Sequence, residues 1–390
     1  MDVSAANTPK CSPLSKPITL GDLTEDLLWP HLFRAVPLAL RPDRLGLAFF
    51  MLLIVRLLAR LMAPASEGPA SVESLVTSTS RAFGMADWRA AATGGVAWLL
   101  GVPWGAVTEH PWRGVAVGLP VVLVLVLGLG AISRMAACEF SQSVMLPWTR
   151  GLAFALSRWA SLAVAILGPL AVAAGFLLVV ALVGGAFFNW SISAVAGGIL
   201  YPVLLIVGGL AALTLAGYAF GHALLIPAVA CEGTDSIDAV QRAYAYAVGR
   251  PIRLIAYQAV LYLVLGFAAL VFSKIAWWVT GLTAKAAGFL AGGDAAIVLS
   301  GSGQTPAGAW ELTAKLIALW STIPHMLVGA FLLSCGATGS TILYLLLRKL
   351  NDGQDFSEIW MPGMVGGTLA AEQGLESDRA SSTGESDDDE

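Results

Sequence analysis

Charge is the scarcest property of this sequence. Its 390 residues include 22 Lys and Arg and 26 Asp and Glu, which together make only 12% of the chain. Soluble globular proteins carry about 25% charged residues. With 57% hydrophobic residues and a mean hydropathy of +0.76, too little polar surface remains to cover a folded body in water. The deficit excludes a soluble enzyme and a disordered chain. The net charge of −4 provides no basic field for a phosphate backbone, so no nucleic-acid partner is expected. Cysteine is nearly as scarce. Cys11, Cys138, Cys231 and Cys335 are scattered and form no CxxC pair, which excludes a disulfide framework and a structural zinc site. They read as small apolar fillers. The first forty residues mix Pro, Asp and Glu where a signal peptide runs from a basic start into an apolar core.

Long apolar runs take the place of charge, and they define an all-α class: a polytopic membrane bundle of about six transmembrane helices. A bilayer core of about 30 Å needs about 20 apolar helical residues. Spans are predicted near 45–63, 114–133, 160–183, 198–222, 254–278 and 320–347, inside a membrane domain covering 45–349. Residues 1–44 read as a cytoplasmic N-terminal and interfacial segment, and 350–390 as a cytoplasmic, acidic, disordered tail. Ala91–Thr108 is uncharged but broken by Gly94, Gly95, Gly101, Pro103 and Gly105, so it reads as interfacial or re-entrant. Orientation follows from Lys and Arg. Six spans with both termini inside place fourteen of them inside and six outside, whereas seven spans give eleven against nine. The positive-inside rule favours six, and the membrane expected is a bacterial inner one. Nine tryptophans then fall near the outer boundary, and Trp29, Trp148, Trp159 and Trp360 near the inner one, as headgroup anchors.

A basic segment precedes the first, third and fifth spans. The three copies centre on Arg34 to Arg44, Arg150 to Arg158, and Arg242 to Arg253, with Glu25, Glu139 and Glu232 upstream. In the third copy Asp235 and its neighbours offer an N-cap, Gly249-Arg250-Pro251 a stop, and Ile237, Val240, Tyr244 and Val248 one apolar face. Such a helix is expected to lie flat at the inner headgroups. Three units of interfacial helix plus hairpin account for six spans.

The string Pro227-Ala-Val-Ala-Cys-Glu232-Gly233, followed by Ala239-Val-Gln-Arg242 and Arg250, resembles a motif of the membrane domain attached to some glycerophosphodiester phosphodiesterases. Free-standing bacterial membrane proteins related to that domain are similar as well. The resemblance covers roughly residues 225–270, with an echo at 134–160. It implies a membrane fold. It does not carry over phosphodiesterase activity, because no polar stretch here is long enough for a catalytic barrel.

Candidate functional residues are few. The interiors of the second to fifth spans hold no charge, which disfavours ion- or proton-coupled transport. Glu139 and Glu232, with Arg150, Arg158, Arg242 and Arg250, would either line a cytoplasmic mouth or form structural ion pairs. Arg56 and Arg60 share one face near the outer end of the first span and would snorkel to headgroups or touch lipid phosphate. His222 and His325 read as satisfied polar groups, because neither has a partner at metal spacing. Ser300-Gly-Ser-Gly303 reads as a linker. Gly114/Gly118 and Gly217/Gly221 would admit close helix contacts. The tail from Glu372 to Glu390 offers a docking segment for a protein partner, and membrane lipids are the other expected partner. Two functional readings follow: a non-enzymatic scaffold or assembly protein, or an uncoupled channel, permease or lipid-handling protein. No catalytic residue, cofactor or metal is expected, and the oligomeric state is open.

Overall fold

The computed structural model describes residues 28–62, 87, 89–90, 111–189, 191–289, 291, 293–300 and 308–361. Every regular element among them is helical. A 3-10 turn, Trp29–Arg34, leads into α1 (Ala35–Ala39) and α2 (Pro42–Met62). There follow α3 (Pro111–Gln142), α4 (Trp148–Ser157), α5 (Trp159–Phe188), α6 (Ser191–Glu232) and α7 (Ser236–Gly249). The chain continues as α8 (Pro251–Phe289), α9 (Asp294–Ser300) and α10 (Ala309–Asp352). The stretch Ala91–Thr108, Glu25, the segment from Gly301 to Gly303, and residues 362–390 lie outside the described residues.

Five helices among the described residues, in α3, α5, α6, α8 and α10, are long and apolar enough to cross a membrane. The sixth expected span falls on α2, whose 21 residues reach about 31 Å at 1.5 Å per residue but which is not one of these five. Pro120, Pro169, Pro202, Pro227 and Pro324 sit inside these long helices. Membrane helices tolerate such prolines because neighbouring groups satisfy the freed carbonyls.

The element order runs short helix, long helix, returning long helix three times, with α9 inserted in the last turn-round. The returning helices α3, α6 and α10 run parallel and meet one another, and α2, α5 and α8 pack outside them. Each short helix rests on the return helix of the preceding unit: α4 on α3, α7 on α6, and α1 on α10. The pattern closes cyclically.

The core lies at one end of the bundle, where α3, α6 and α10 finish. Small residues make it possible: Ala131, Ala136, Ala137, Ala228, Ala230, Ala239 and Ala243 are all fully buried. In a bilayer helices associate by van der Waals packing and hydrogen bonding rather than by escape from water, so close approach of backbones decides the contact. Leu224, Leu225, Leu343, Leu345 and Leu346 fill the remaining space. The charged side chains collect here too, which makes this the polar end of the bundle.

Helix α7 begins and stops where its sequence dictates. Asp235 caps it by accepting the Asp238 N–H at 3.0 Å, and it ends before Pro251. Its buried face differs from the expected one. Ala239, Ala243, Tyr246 and Ala247 face the bundle, while Ile237 and Val248 are exposed. The alanine face wins because it allows α6 to come close. At Gly217 of α6 an added Cβ would lie 2.3 Å from the Tyr244 ring, and Tyr244 donates its hydroxyl to the Thr214 carbonyl at 2.8 Å.

Residues 350–361, expected to open the disordered tail, are folded. Helix α10 runs to Asp352 and ends on Gly353, whose φ of +71° is the left-handed cap conformation. Residues 353–361 then fold back as a strap across the polar end. Trp360 donates its N–H to the Cys231 carbonyl at 2.8 Å, and Ile359 is buried.

Candidate functional site at the polar end

The polar end holds a layer of charged and phenolic side chains, with Arg44, Arg134, Glu232, Tyr344 and Arg348 buried at its centre. Its first cluster centres on Glu139, near the end of α3. Arg41 and Arg44 both form ion pairs with its carboxylate. Arg44 is only 2% exposed, and it also donates to the carbonyls of Leu38 at 2.8 Å and Met135 at 2.9 Å. An arginine this deep costs several kcal/mol in desolvation unless paired and fully bonded. Glu139 and the two carbonyls supply most of these bonds and leave only the buried Nε without a hydrogen-bond partner.

The second cluster centres on Glu232, the last residue of α6, itself 1% exposed. Arg242 of α7 pairs with one carboxylate oxygen, and the Tyr344 hydroxyl donates to the other. Arg348 of α10 approaches to 4.0 Å. Asp238 bonds Arg242 from one turn back at 3.1 Å. Burial pulls the Arg242 guanidinium down, but Glu232 and Asp238 more than offset this and hold it above its ordinary value. Beside this cluster Tyr246 donates its hydroxyl to Asp352, and burial together with that carboxylate pushes the phenol well up. One ion-paired layer thus joins α6, α7 and α10.

In the third cluster main-chain oxygens and aromatic rings are the main partners of the arginines. Arg134 of α3 donates to the Ala230 carbonyl at 3.0 Å and the Trp360 carbonyl at 2.6 Å. Its guanidinium lies over the rings of Phe154 and Trp360. Arg158 covers the same indole at 5.5 Å. Arg348 donates to the carbonyls of Asp355, at 3.1 Å, and Glu358. Both carbonyls belong to the strap, which His31 and Phe140 also clasp around the Phe356 ring.

Of the candidate residues, Glu139 and Glu232 take part in structural ion pairs. Only Arg242 among the four candidate arginines meets one of these acids. Arg158 packs on Trp360, and Arg150 and Arg250 are exposed. The reason lies in helix length. α7 starts six residues before Arg242 and carries it to Glu232, whereas α4 starts two residues before Arg150 and leaves it on the exposed first turn. Arg41 and Arg44 of the first copy take its place at Glu139.

Arg56 is half-buried and turns its Nη1 to the Met326 sulfur at 3.0 Å, towards α10. The side chain of Arg60 lies outside the described residues. His222 bonds the Ala219 carbonyl at 2.8 Å and the Tyr262 hydroxyl at 3.2 Å, the satisfied polar role expected of it. Cys138, Cys231 and Cys335 are buried thiols. Among the described residues no group of three or more His, Cys, Asp or Glu could hold a metal ion.

Sequence reasoning missed Arg134, Tyr344, Arg348 and Trp360 as site residues. The two arginines stand at the ends of apolar runs, where a flanking charge ordinarily marks the headgroup boundary. Trp360 reads as an anchor for the same reason, yet its ring is half-buried over Gly233. That glycine has a φ of +59°, and an added Cβ would lie 2.5 Å from the indole. The Glu-Gly pair at the end of α6 is the one signal that pointed to a close contact here.

The fold and its polar end define a helical membrane bundle closed at one end by buried ion pairs. Comparison with protein-family models, with curated proteins and with solved structures finds no match to this chain.

Proposed function

We propose that this is a non-enzymatic integral membrane protein that acts as a scaffold or assembly factor. In this reading six spans form three interfacial-helix-plus-hairpin units in a bacterial inner membrane, with the polar end and both termini in the cytoplasm. The motif at Pro227–Arg250 supports a resemblance to the membrane domain found beside some glycerophosphodiester phosphodiesterases. The observation that carries the reading is the α5–α6 hairpin. Only 11% of each of its apolar windows is buried within the chain, against 61% in α3. Leu182, Ile199 and Leu213 are each more than 60% exposed along it. Away from the buried end of α6 at Leu224–Glu232, this hairpin contributes little to the bundle's own core and offers a long surface inside the bilayer. The acidic residues 372–390 offer a second, aqueous handle.

Photo-crosslinking from residues 182, 199 and 213 in cells tests this, combined with pull-downs with and without residues 372–390. Discrete protein adducts from the hairpin, or a partner lost with the tail, support the scaffold. The channel, permease or lipid-handling alternative takes over if the purified protein passes solutes or lipids in proteoliposomes and yields lipid adducts alone. Cysteine labelling fixes the orientation. Position 30 is expected to react from the cytoplasm and position 90 from outside, and reaction of both from outside breaks the six-span arrangement.

A further inference from the structure

The strap Gly353–Met361 holds its place by an unusual choice of partners. Arg134 and Arg348 are 3% and 0% exposed, yet among the described residues Arg134 meets no carboxylate and Arg348 only a long ion pair. Among the described residues no carboxylate pairs with Arg134 or Arg158. The nearest to Arg348 is Glu232 at 4.0 Å, already engaged by Arg242 and Tyr344. Asp355, within the strap, turns its carboxylate to Lys349 at 3.1 Å and Ser357 at 3.2 Å. What the buried arginines receive is three main-chain oxygens: those of Asp355 and Glu358 for Arg348, and that of Trp360 for Arg134. Arg348 further keeps Nε and Nη1 buried and without a hydrogen-bond partner.

Carbonyls are weak complements for guanidinium groups, which match the oxygens of phosphate or carboxylate in paired bonds. Two buried cations and a third beside them, with one shared and distant carboxylate, make a site short of negative charge. We propose that the polar end contains an anion site for a phosphate group, built from Arg134, Arg158 and Arg348, and that the strap occupies it as an internal substitute ligand. The three strap oxygens take the guanidinium hydrogen bonds that phosphate oxygens would take. Trp360 is the latch: its indole lies under Arg134 and Arg158, its carbonyl takes Arg134, and its N–H ties the strap to α6. When phosphate binds, the strap leaves and uncovers the end of α6, where the Cys231 thiol is fully buried. This inference does not depend on the scaffold reading, since the hairpin crosslinks and the strap report separately.

The test uses the full chain in alkyl maltoside micelles, which carry no phosphate. Labelling of Cys231 by a thiol reagent is followed by peptide mass spectrometry, alone, with phosphatidylglycerol, and with inorganic phosphate. The labelling rate is expected to rise about tenfold with a phosphate-bearing probe. A rise with phosphatidylglycerol only assigns the site to a lipid headgroup, and a rise with inorganic phosphate only assigns it to a free phosphate. Arg134→Gln and Arg348→Gln are expected to abolish the rise, and Arg134→Lys to retain part of it. Trp360→Ala is expected to raise labelling without any probe and to lower the probe concentration for half response, because the substitute ligand no longer competes. Labelling indifferent to both probes overturns the proposal. So does a response that survives both glutamine variants, or a Trp360→Ala protein that needs more probe rather than less.

Discussion

The end of α3 and the α5–α6 hairpin are both strongly apolar, yet one is mostly enclosed and the other mostly exposed. Hydropathy does not separate them. What does is the mixture of small and charged residues. The enclosed face of α3 carries Ala131, Ser133, Arg134, Ala136, Ala137 and Cys138, while the hairpin shows Leu178, Leu182, Ile199 and Leu213 to its surroundings. Where lipid tails are as apolar as leucine, large aliphatic side chains gain little by turning inward. Alanines that let backbones meet, and charges that must find partners, gain much. The bundle is therefore held at its polar end, where α6 finishes, and the exposed remainder of the hairpin is free to do something else.

The sharpest way to break this contrast is to remove the acid at the centre of the polar end. Glu232→Ala leaves Arg242, Arg348 and Tyr344 without their shared carboxylate. Breaking a buried pair in this way costs about 3–5 kcal/mol, because the remaining charge stays buried and uncompensated. Thermal unfolding in detergent is expected to show the largest loss of any single substitution named here. Glu139→Ala is expected to cost less, since Arg41 is more than a third exposed and water replaces part of what it loses. A Glu232→Ala protein as stable as the parent means that the layer is not what holds the bundle.

Gly233→Ala comes next. A side chain at this left-handed position costs about 1–2 kcal/mol in backbone strain alone. The new Cβ also meets the Trp360 ring at 2.5 Å, so the strap must shift. The measurement is again unfolding temperature, joined by faster thiol labelling at Cys231. Loss of stability without faster labelling places the damage in α6 rather than in the strap.

A smaller effect is expected from pH. Burial, with Arg34 and Lys349 nearby, holds the His31 imidazole below its ordinary 6.5. The unfolded chain then binds this proton more readily than the folded one. The strap-side contribution is therefore complete above pH 6.5 and declines as pH falls towards the lowered folded value. His31→Phe keeps a ring against Phe140 and Phe356 and is expected to flatten that decline. An unchanged pH profile in the variant assigns the dependence to another group.

Much of this architecture was legible because local rules governed it. The Asp235 cap, the stop before Pro251, the Glu232–Arg242 contact and the tight approach at Gly217 each depend on residues near in sequence or on a repeated spacing. The strap was not legible. Arg134 reaches Trp360 across 226 positions, and Arg348 reaches carbonyls that any sequence would supply. A charge at the end of an apolar run looks the same whether it enters headgroups or a protein interior. The face chosen by α7 was obscured for a related reason: alanine scores as weakly apolar, yet it wins wherever two helices must touch.

The least effect on folding is expected where the contrast predicts none. Ile199→Ala and Leu213→Ala truncate side chains that are 76% and 70% exposed on α6. Substitutions away from buried contacts typically change stability by no more than about 0.5 kcal/mol. The unfolding temperature is therefore expected to stay put while any crosslinked assembly through the hairpin weakens. Each measurement isolates one half of the comparison. A stable monomer with lost adducts means that the hairpin serves a partner. A destabilised monomer means that it belongs to the bundle's own fold after all, and the scaffold reading then loses the surface on which it stands.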